Sequence, residues 1–281
     1  MNTIYDVGAH KGEDTDFYLR KGFKVIAIEA NPILAQKLRE MFDEAILSGK
    51  LTVVEAAVAD EDGEAEFFLN ELSVWGTIRE NWAERNLKMG KPSRKIRVPA
   101  LSFKRLLEQY GTPYYLKIDI EGADMLCVRA LANTQARPRF LSIESSKTSW
   151  AELLTEFNTL ERLGYRRFKI VNQAKVPDQT EPNPVGEGIF VNHRFPPDSS
   201  GLFGNDLPGA WLTRRQALIK YAFIFVQYKL FGDNTLGQRI ANRMPFRLRS
   251  HLIPDWFDTH AAHGAFDSQS PASLGLHHNP G

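Results

Sequence analysis

Three carboxylates stand at the ends of two apolar runs. Tyr114-Tyr115-Leu116-Lys117-Ile118-Asp119-Ile120 leads into Glu121-Gly122-Ala123-Asp124, and Phe140 to Ile143 leads into Glu144. If both runs are strands of one parallel sheet, Asp119, Glu121 and Glu144 meet at its carboxyl edge, where ligands of open α/β sheets bind. Converging acids suit proton transfer, because a positioned carboxylate can take a proton from a reacting group. Each acid also has a plainer role: Glu121 can stabilise a helix N-terminus, and Glu144 can form an ion pair. Lys117 precedes Asp119 by two places, so in a strand it points the same way and can pair with a carboxylate. His10 is a further candidate base, with hydrogen bonding inside a turn as its simpler role.

A second constellation lies near the amino terminus. Ile4 to Val7 reads as a strand, and it runs into a turn with Gly8 and Gly12 four residues apart. A helical pattern follows through Phe17, Tyr18 and Leu19, then a second apolar run, Val25 to Ile28, which ends in Glu29. Glycines at such a corner permit positive φ and let a ligand touch backbone. The amides opening the helix are unpaired donors. Glu29 follows Gly8 by 21 residues, close to the ~20-residue offset of an acid that grips ribose hydroxyls. The dinucleotide fingerprint G-x-G-x-x-G is absent, because His10 stands where its second glycine would admit a pyrophosphate. The corner therefore fits a nucleoside with an amino-acid tail better than a dinucleotide, with Asp6 facing the ammonium directly or through water. That ligand is S-adenosylmethionine (SAM). An NAD(P)-dependent oxidoreductase is the rival reading, and a non-catalytic SAM-binding or scaffold module is the reading outside catalysis.

The elements that must hold these residues alternate. Asn31-Pro32 opens a helix whose Leu34, Leu38, Met41, Phe42, Ala45 and Ile46 share one face. Leu51 to Val58 reads as the third strand and leads to Ala59-Asp60. Ala65 to Leu69 and Ile96 to Val98 read as short strands, and Ser102 caps a helix through Tyr110. Ser149-x-x-Glu152 is a capping-box pattern, with Leu153, Phe157 and Leu160 on the inner face of the helix it opens. Tyr165 to Val171 and Gly188 to Val191 then read as two late strands joined by a proline-rich loop. Alternation predicts a mostly parallel sheet with helices on both faces, and a loop-joined final pair predicts antiparallel neighbours.

Asp6-Val7-Gly8-Ala9, Glu29-Ala30-Asn31-Pro32, Ala57-Val58-Ala59-Asp60 and Lys117-Ile118-Asp119-Ile120-Glu121-Gly122-Ala123-Asp124 together resemble the FkbM-type methyltransferases over roughly residues 3–192. That family carries D-V-G-A-N-x-G-x-x-T and K-I-D-V-E-G-A-E motifs. This chain departs from them at His10, where the family has Asn, and at Asp124, where it has Glu. The resemblance implies a Rossmann-like class I SAM methyltransferase fold, α/β with a seven-stranded sheet and one antiparallel strand. It implies O-methylation of a hydroxyl on a sugar, glycan or secondary metabolite. It matches Asp6, Gly8, Ala9, His10, Gly12 and Thr15 to the cofactor turn and Glu29 to the ribose acid. Ala30 and Asn31 adjoin that acid, Ala59-Asp60 falls at the adenine amino group, and Asp119 reaches the active site. By analogy with catechol-type O-methyltransferases, Asp119 and Glu144 could bind Mg²⁺. Trp75 and Trp82 either line an acceptor pocket or pack.

Residues 193–264 read as a helical carboxyl-terminal extension beyond a methyltransferase domain of residues 1–192, and residues 265–281, rich in Ser, Pro, Gly and His, as a disordered tail. Pro196 to Gly201 reads as a linker. The helix Ala217 to Phe231 is apolar nearly all round. Between Thr213 and His251, eight basic residues accompany one acid, Asp233. That combination allows peripheral membrane contact, burial on the core, or a homo-oligomer interface. Trp256 to Ala261 could fold back over the acceptor site, with Asp258 orienting His260 as a base. The net charge of +1 gives no global reason for nucleic-acid binding. Cys127 is the only cysteine. One thiol and no Sec-type signal sequence fit a reducing, cytoplasmic setting.

Overall fold

A computed structural model describes residues 2–70, 76–80, 83, 84, 87, 90–232, 235–241, 243 and 256–264. The chain runs β1 (Thr3–Val7), α1 (Glu13–Arg20), β2 (Lys24–Glu29), α2 (Pro32–Met41), α3 (Asp43–Leu47), β3 (Leu51–Glu55), β4 (Ala57–Ala59), β5 (Gly63–Asn70) and β6 (Ser93–Ser102). It continues through α4 (Phe103–Tyr110), β7 (Tyr115–Ile118), α5 (Met125–Ala132), β8 (Phe140–Glu144), α6 (Trp150–Arg162), β9 (Tyr165–Asn172), α7 (Arg214–Phe231), α8 (Leu236–Ala241) and β10 (Phe257–His263). The main sheet has the order β3-β2-β1-β7-β8-β10-β9. β10 is antiparallel to both its neighbours, and the other pairs are parallel. This is the Rossmann-like sheet of class I SAM methyltransferases, with helices on both faces.

One face of that sheet is aliphatic. Tyr5, Val7, Ile26, Ile28, Leu116, Ile118, Leu141 and Ile143 pack there against α4, α5, α6 and α7. The helices start where side chains cap them: Ser102 accepts from Arg105 N, Ser149 from Glu152 N, and Thr213 forms a reciprocal capping box with Gln216. The opposite face meets α1 and α2 beside β1 and β2. Beyond β7 it is covered by loops and two short 3-10 helices, Gln173–Asp178 and Gly204–Asp206, with Val176, Val191, Phe195, Leu202, Phe203 and Leu207 packing on Tyr115 and Phe140.

Three sequence expectations change. The run Leu51–Val58 is two strands: it breaks at Ala56, leaving β3 in the main sheet and sending β4 into a small sheet ordered β4-β6-β5. Gly188–Val191 is not a strand. Ile189 and Phe190 are exposed, and Ile189 N donates to Lys21 O. The antiparallel strand is Phe257–His263, drawn from the segment assigned to the extension, so the sheet-forming unit does not stop at residue 192. Its Asp258, Thr259 and His260 are all buried, so polar residues fill a core strand and its hydropathy conceals it. Trp75, Trp82, Asp233, His251 and residues 265–281 lie outside the described residues.

Candidate active site

The β1–α1 corner is shaped by close approach. Gly8 has φ +83°, and a Cβ there would sit 1.9 Å from Asp119 O. Only glycine lets β1 and the end of β7 come this near. Its amide and that of Ala9 donate to Ile28 O at 2.9 and 3.1 Å, tying the corner to β2. His10 also has positive φ, 51°, a conformation that Asn and His tolerate better than most residues. The departure from the family's Asn therefore keeps the backbone geometry. Glu29 ends β2 and is almost fully buried. Its two carboxylate oxygens accept from His10 N at 2.7 Å and Asn31 N at 2.8 Å. These bonds fix the carboxylate, while burial raises its pKa.

Around this corner lies a partly open crevice with an enclosed volume of about 110 Å³ that continues into solvent. Gly8, Ala9, His10, Glu29 and Ala30 line it from the ends of β1 and β2. Ala56, Ala57, Val58, Phe67 and Ile78 form an apolar slot, and Lys117, Asp119, Ile120, Glu121 and Ala123 form the far wall. Glu13, Asp14 and Asp198 add three carboxylates to the lining. Asp14 takes Ser200 N on both carboxylate oxygens at 3.0 Å. The stretch read as a linker thus straps α1 and supplies Asp198 to the crevice.

Lys117 is the hub behind this wall. Its ammonium lies 2.9 Å from Gly8 O, 3.0 Å from Asp6 Oδ1, 3.7 Å from Asp14 Oδ2 and 3.9 Å from Asp119 Oδ2. Asp6 is fully buried, and its second oxygen accepts from Thr15 Oγ1 at 2.6 Å. Burial pushes Asp14 up to about 6, although Lys117 opposes the shift.

Beyond Asp119 the carboxylates converge as the sequence predicts. Asp119, Glu121 and Glu144 each offer an oxygen within 4.8 Å of the others. Glu121 has φ 47°, and Asp124 braces the turn by accepting from Ile120 N and Gly122 N at 3.0 Å. The shorter Asp at this position makes both bonds from inside the turn. Burial raises the Glu144 pKa well above the carboxylate range, and Glu121 and Asp119 add to it. Asp258 is pushed up to about 7 by burial and by Asp119.

Several expected site residues stand elsewhere. Asp6 and Thr15 lie behind the corner, so Asp6 serves Lys117 rather than facing a ligand directly. Gly12 is a packing residue: a Cβ there would meet Phe42 and Leu38. Asn31 caps α2 through Ile33 N. Ala59 lies outside the lining, and Asp60 is exposed beyond the slot, where apolar side chains replace the expected adenine acid. His260 is buried in β10, stacked on Tyr115 with centroids 6.5 Å apart, and burial drives its pKa down to about 3. Asp258 accepts from Gln173 Nε2. A neutral histidine in the sheet interior is no base for this crevice.

Sequence reasoning missed Glu13, Asp14, Asp198, Phe67, Thr77 and Ile78. The acidic run Glu13-Asp14 was a readable signal at a helix start. The others arrive through long-range packing, as when Thr77 Oγ1 donates to Glu121 O at 2.9 Å across the crevice.

A family model for the methyltransferase FkbM domain matches residues 6–167. No curated protein matches the chain. Among solved structures, methyltransferase FkbM from Methylobacillus flagellatus KT is 16% identical with a TM-score of 0.41, the match covering 60% of this chain and 39% of that one. Precorrin-6y C5,15-methyltransferase from Geobacter metallireducens GS-15 is 13% identical with a TM-score of 0.36, covering 60% and 66%. A SAM-dependent methyltransferase from Thiobacillus denitrificans, in complex with S-adenosyl-L-homocysteine, is 9% identical with a TM-score of 0.34, covering 93% and 85%. The match thus spans 39% of the first structure's length and 66% of the second's. The family match covers more than half of the sequence, and the chain belongs to the FkbM methyltransferase domain family.

Proposed function

We propose that this protein is a SAM-dependent O-methyltransferase acting on a hydroxyl of a sugar, glycan or secondary metabolite. The observation that carries the cofactor reading is the acidic opening of α1. Glu13, Asp14 and Asp16 occupy its first turn, and Glu13 and Asp14 line the crevice with Asp198. A diphosphate at this helix N-terminus would meet carboxylates instead of the usual bare amides. A cationic sulfonium nucleoside with an ammonium tail meets complementary charge. This weighs against an NAD(P)-dependent oxidoreductase more strongly than the missing glycine does.

When bound, SAM supplies an electrophilic methyl carbon on a positively charged sulfur. Glu29 would hold the ribose diol with lone pairs that His10 N and Asn31 N leave open. The apolar lining from Ala56 to Val58 would take the adenine. The acceptor hydroxyl must approach to ~3–3.5 Å and in line, at the end of the crevice where Asp119 and Glu121 stand. Asp119, which lines the crevice, would take the hydroxyl proton and Glu121 would orient the oxygen, while Glu144, whose pKa is raised by burial and the neighbouring acids, stands beside them outside the lining as the next stop for that proton. A base of this kind contributes about 10²–10⁴-fold. The convergence of Asp119, Glu121 and Glu144 also supports a second reading, a divalent cation that lowers the hydroxyl's pKa.

Calorimetric titration with SAM and with NADH tests the cofactor: SAM should bind and NADH should not. Turnover over a panel of sugar and polyketide hydroxyls tests the acceptor and separates enzyme from binding module. Repeating it after chelation, then with Mg²⁺ restored, separates the proton-acceptor reading from the metal reading.

A further inference from the structure

α7 buries one side and leaves the other bare. Ala217, Tyr221 and Ile224 face the core, whereas Ile219, Phe223, Val226 and Leu230 are 50%, 72%, 58% and 56% exposed. Their 4-3-4 spacing places the four on one stripe of the helix. The flanks are basic: Arg215 and Lys229 are exposed on one side and Lys220 lies on the other, with no acid anywhere in α7. Lys220 donates to Ile170 O, so the outward charge rests on Arg215 and Lys229, with Arg239 and Arg243 exposed just beyond. At the same end, half-exposed Trp150 packs edge-on against Phe225, and half-exposed Trp256 lies under the Lys147 ammonium at 3.6 Å. Phe225 and Tyr228 share the core-facing side of α7 with Tyr221 and Ile224, so these rings close the seam behind the stripe. No described helix is long and apolar enough to cross a membrane.

We propose that α7 is a docking surface for an anionic lipid bilayer, lying in the interface plane with Ile219, Phe223, Val226 and Leu230 in the acyl boundary. An apolar stripe flanked by Lys and Arg is the pattern of such helices, and exposed cations next to an anionic leaflet each add attraction. A second copy of this chain is a poorer occupant. Two-fold pairing would set Arg215 and Lys229 of each copy against a helix that has no acid. The stripe, roughly 16 Å long at 1.5 Å per residue, also offers far less than the ~800 Å² per partner of a stable dimer.

Co-sedimentation of the full chain with vesicles tests this. Phosphatidylcholine vesicles containing about a third phosphatidylglycerol should carry at least 10-fold more protein than pure phosphatidylcholine vesicles. High salt should release much of it. The double variant Phe223→Glu, Val226→Glu should fall to the neutral-vesicle level, with thermal melting unchanged because both side chains face outward. Arg215→Ala with Lys229→Ala, which leaves the stripe intact, should lose several-fold. Absence of vesicle binding, or equal binding to both vesicle types, overturns the proposal. So does a dimer in light scattering that the double variant dissociates, or a double variant that melts early because another part of the chain covers the stripe.

Discussion

Leu116, Ile118, Leu141 and Ile143 look out from one face of the main sheet onto four helices and meet almost only carbon. Tyr115, Lys117, Ser142 and His260 look out from the other face, across much the same strands, and meet α1, loops and short 3-10 turns. On that second face Tyr115 donates to or accepts from Ser142 at 2.7 Å and stacks on Phe203. Lys21, fully buried, pairs with Glu181 and with Asp206 at 2.9 Å. The first face holds by area and shape. The second holds by matched charges and hydrogen bonds, which cost stability when one partner is lost. The crevice opens where the polar face reaches the carboxyl edge, so the network that fills this face also places the site's charges.

The largest expected effect comes from breaking that network at its hub. Lys117→Met should destabilise the fold by about 3–5 kcal/mol, because Asp6 and Asp14 would remain buried without their cation. Denaturant unfolding reads this. If the charge account is right, adding Asp6→Asn should recover part of the loss. On the helix face, Leu141→Ala should cost about 2–5 kcal/mol through lost contacts and a cavity, and no second charge change should restore it.

A pH-dependent effect comes from a polar chain on the helix face. Glu156 Oε1 accepts from Ser145 Oγ at 2.6 Å, and Thr259 links Ser145 to Tyr221 at 2.6 and 2.7 Å. Burial raises Glu156 to about 8, from a usual 4.5. The folded protein therefore holds a proton there that the unfolded chain releases. The stability this gives is fully present below about pH 4.5 and is lost as pH rises through 8. Glu156→Gln cannot ionise, so at pH 9 it should be more stable than wild type by up to about 5 kcal/mol, with the gap closing at pH 4. Melting curves across pH check this. The smallest effect belongs to His260→Phe, which should leave turnover and its pH profile unchanged within about two-fold, because the ring carries no charge and lies away from the crevice.

The same contrast explains what the sequence reveals. Short apolar runs ending at Glu29, Asp119 and Glu144 stand out because the opposite face of each strand is uniformly apolar, and the glycine corner announces its own backbone geometry. β10 does not stand out. Its buried Asp258, Thr259 and His260 read as surface residues, while exposed Ile189 and Phe190 imitate a strand. Composition marks Pro196 to Gly201 as a loop, yet says nothing of Ser200 reaching Asp14 across 186 positions. A polar core is specified by partners, and partners distant in sequence leave no periodic trace.

Calorimetric titration of SAM into wild type and into Glu29→Ala tests the central claim most directly. Losing a charge-assisted pair of ribose bonds should cost about 1.5–3 kcal/mol, a loss of roughly 10- to 150-fold in affinity at 1.4 kcal/mol per decade, with thermal melting followed alongside because His10 N and Asn31 N lose their acceptor. Equal affinity in the two proteins, or no heat from wild type at millimolar SAM, would contradict the account.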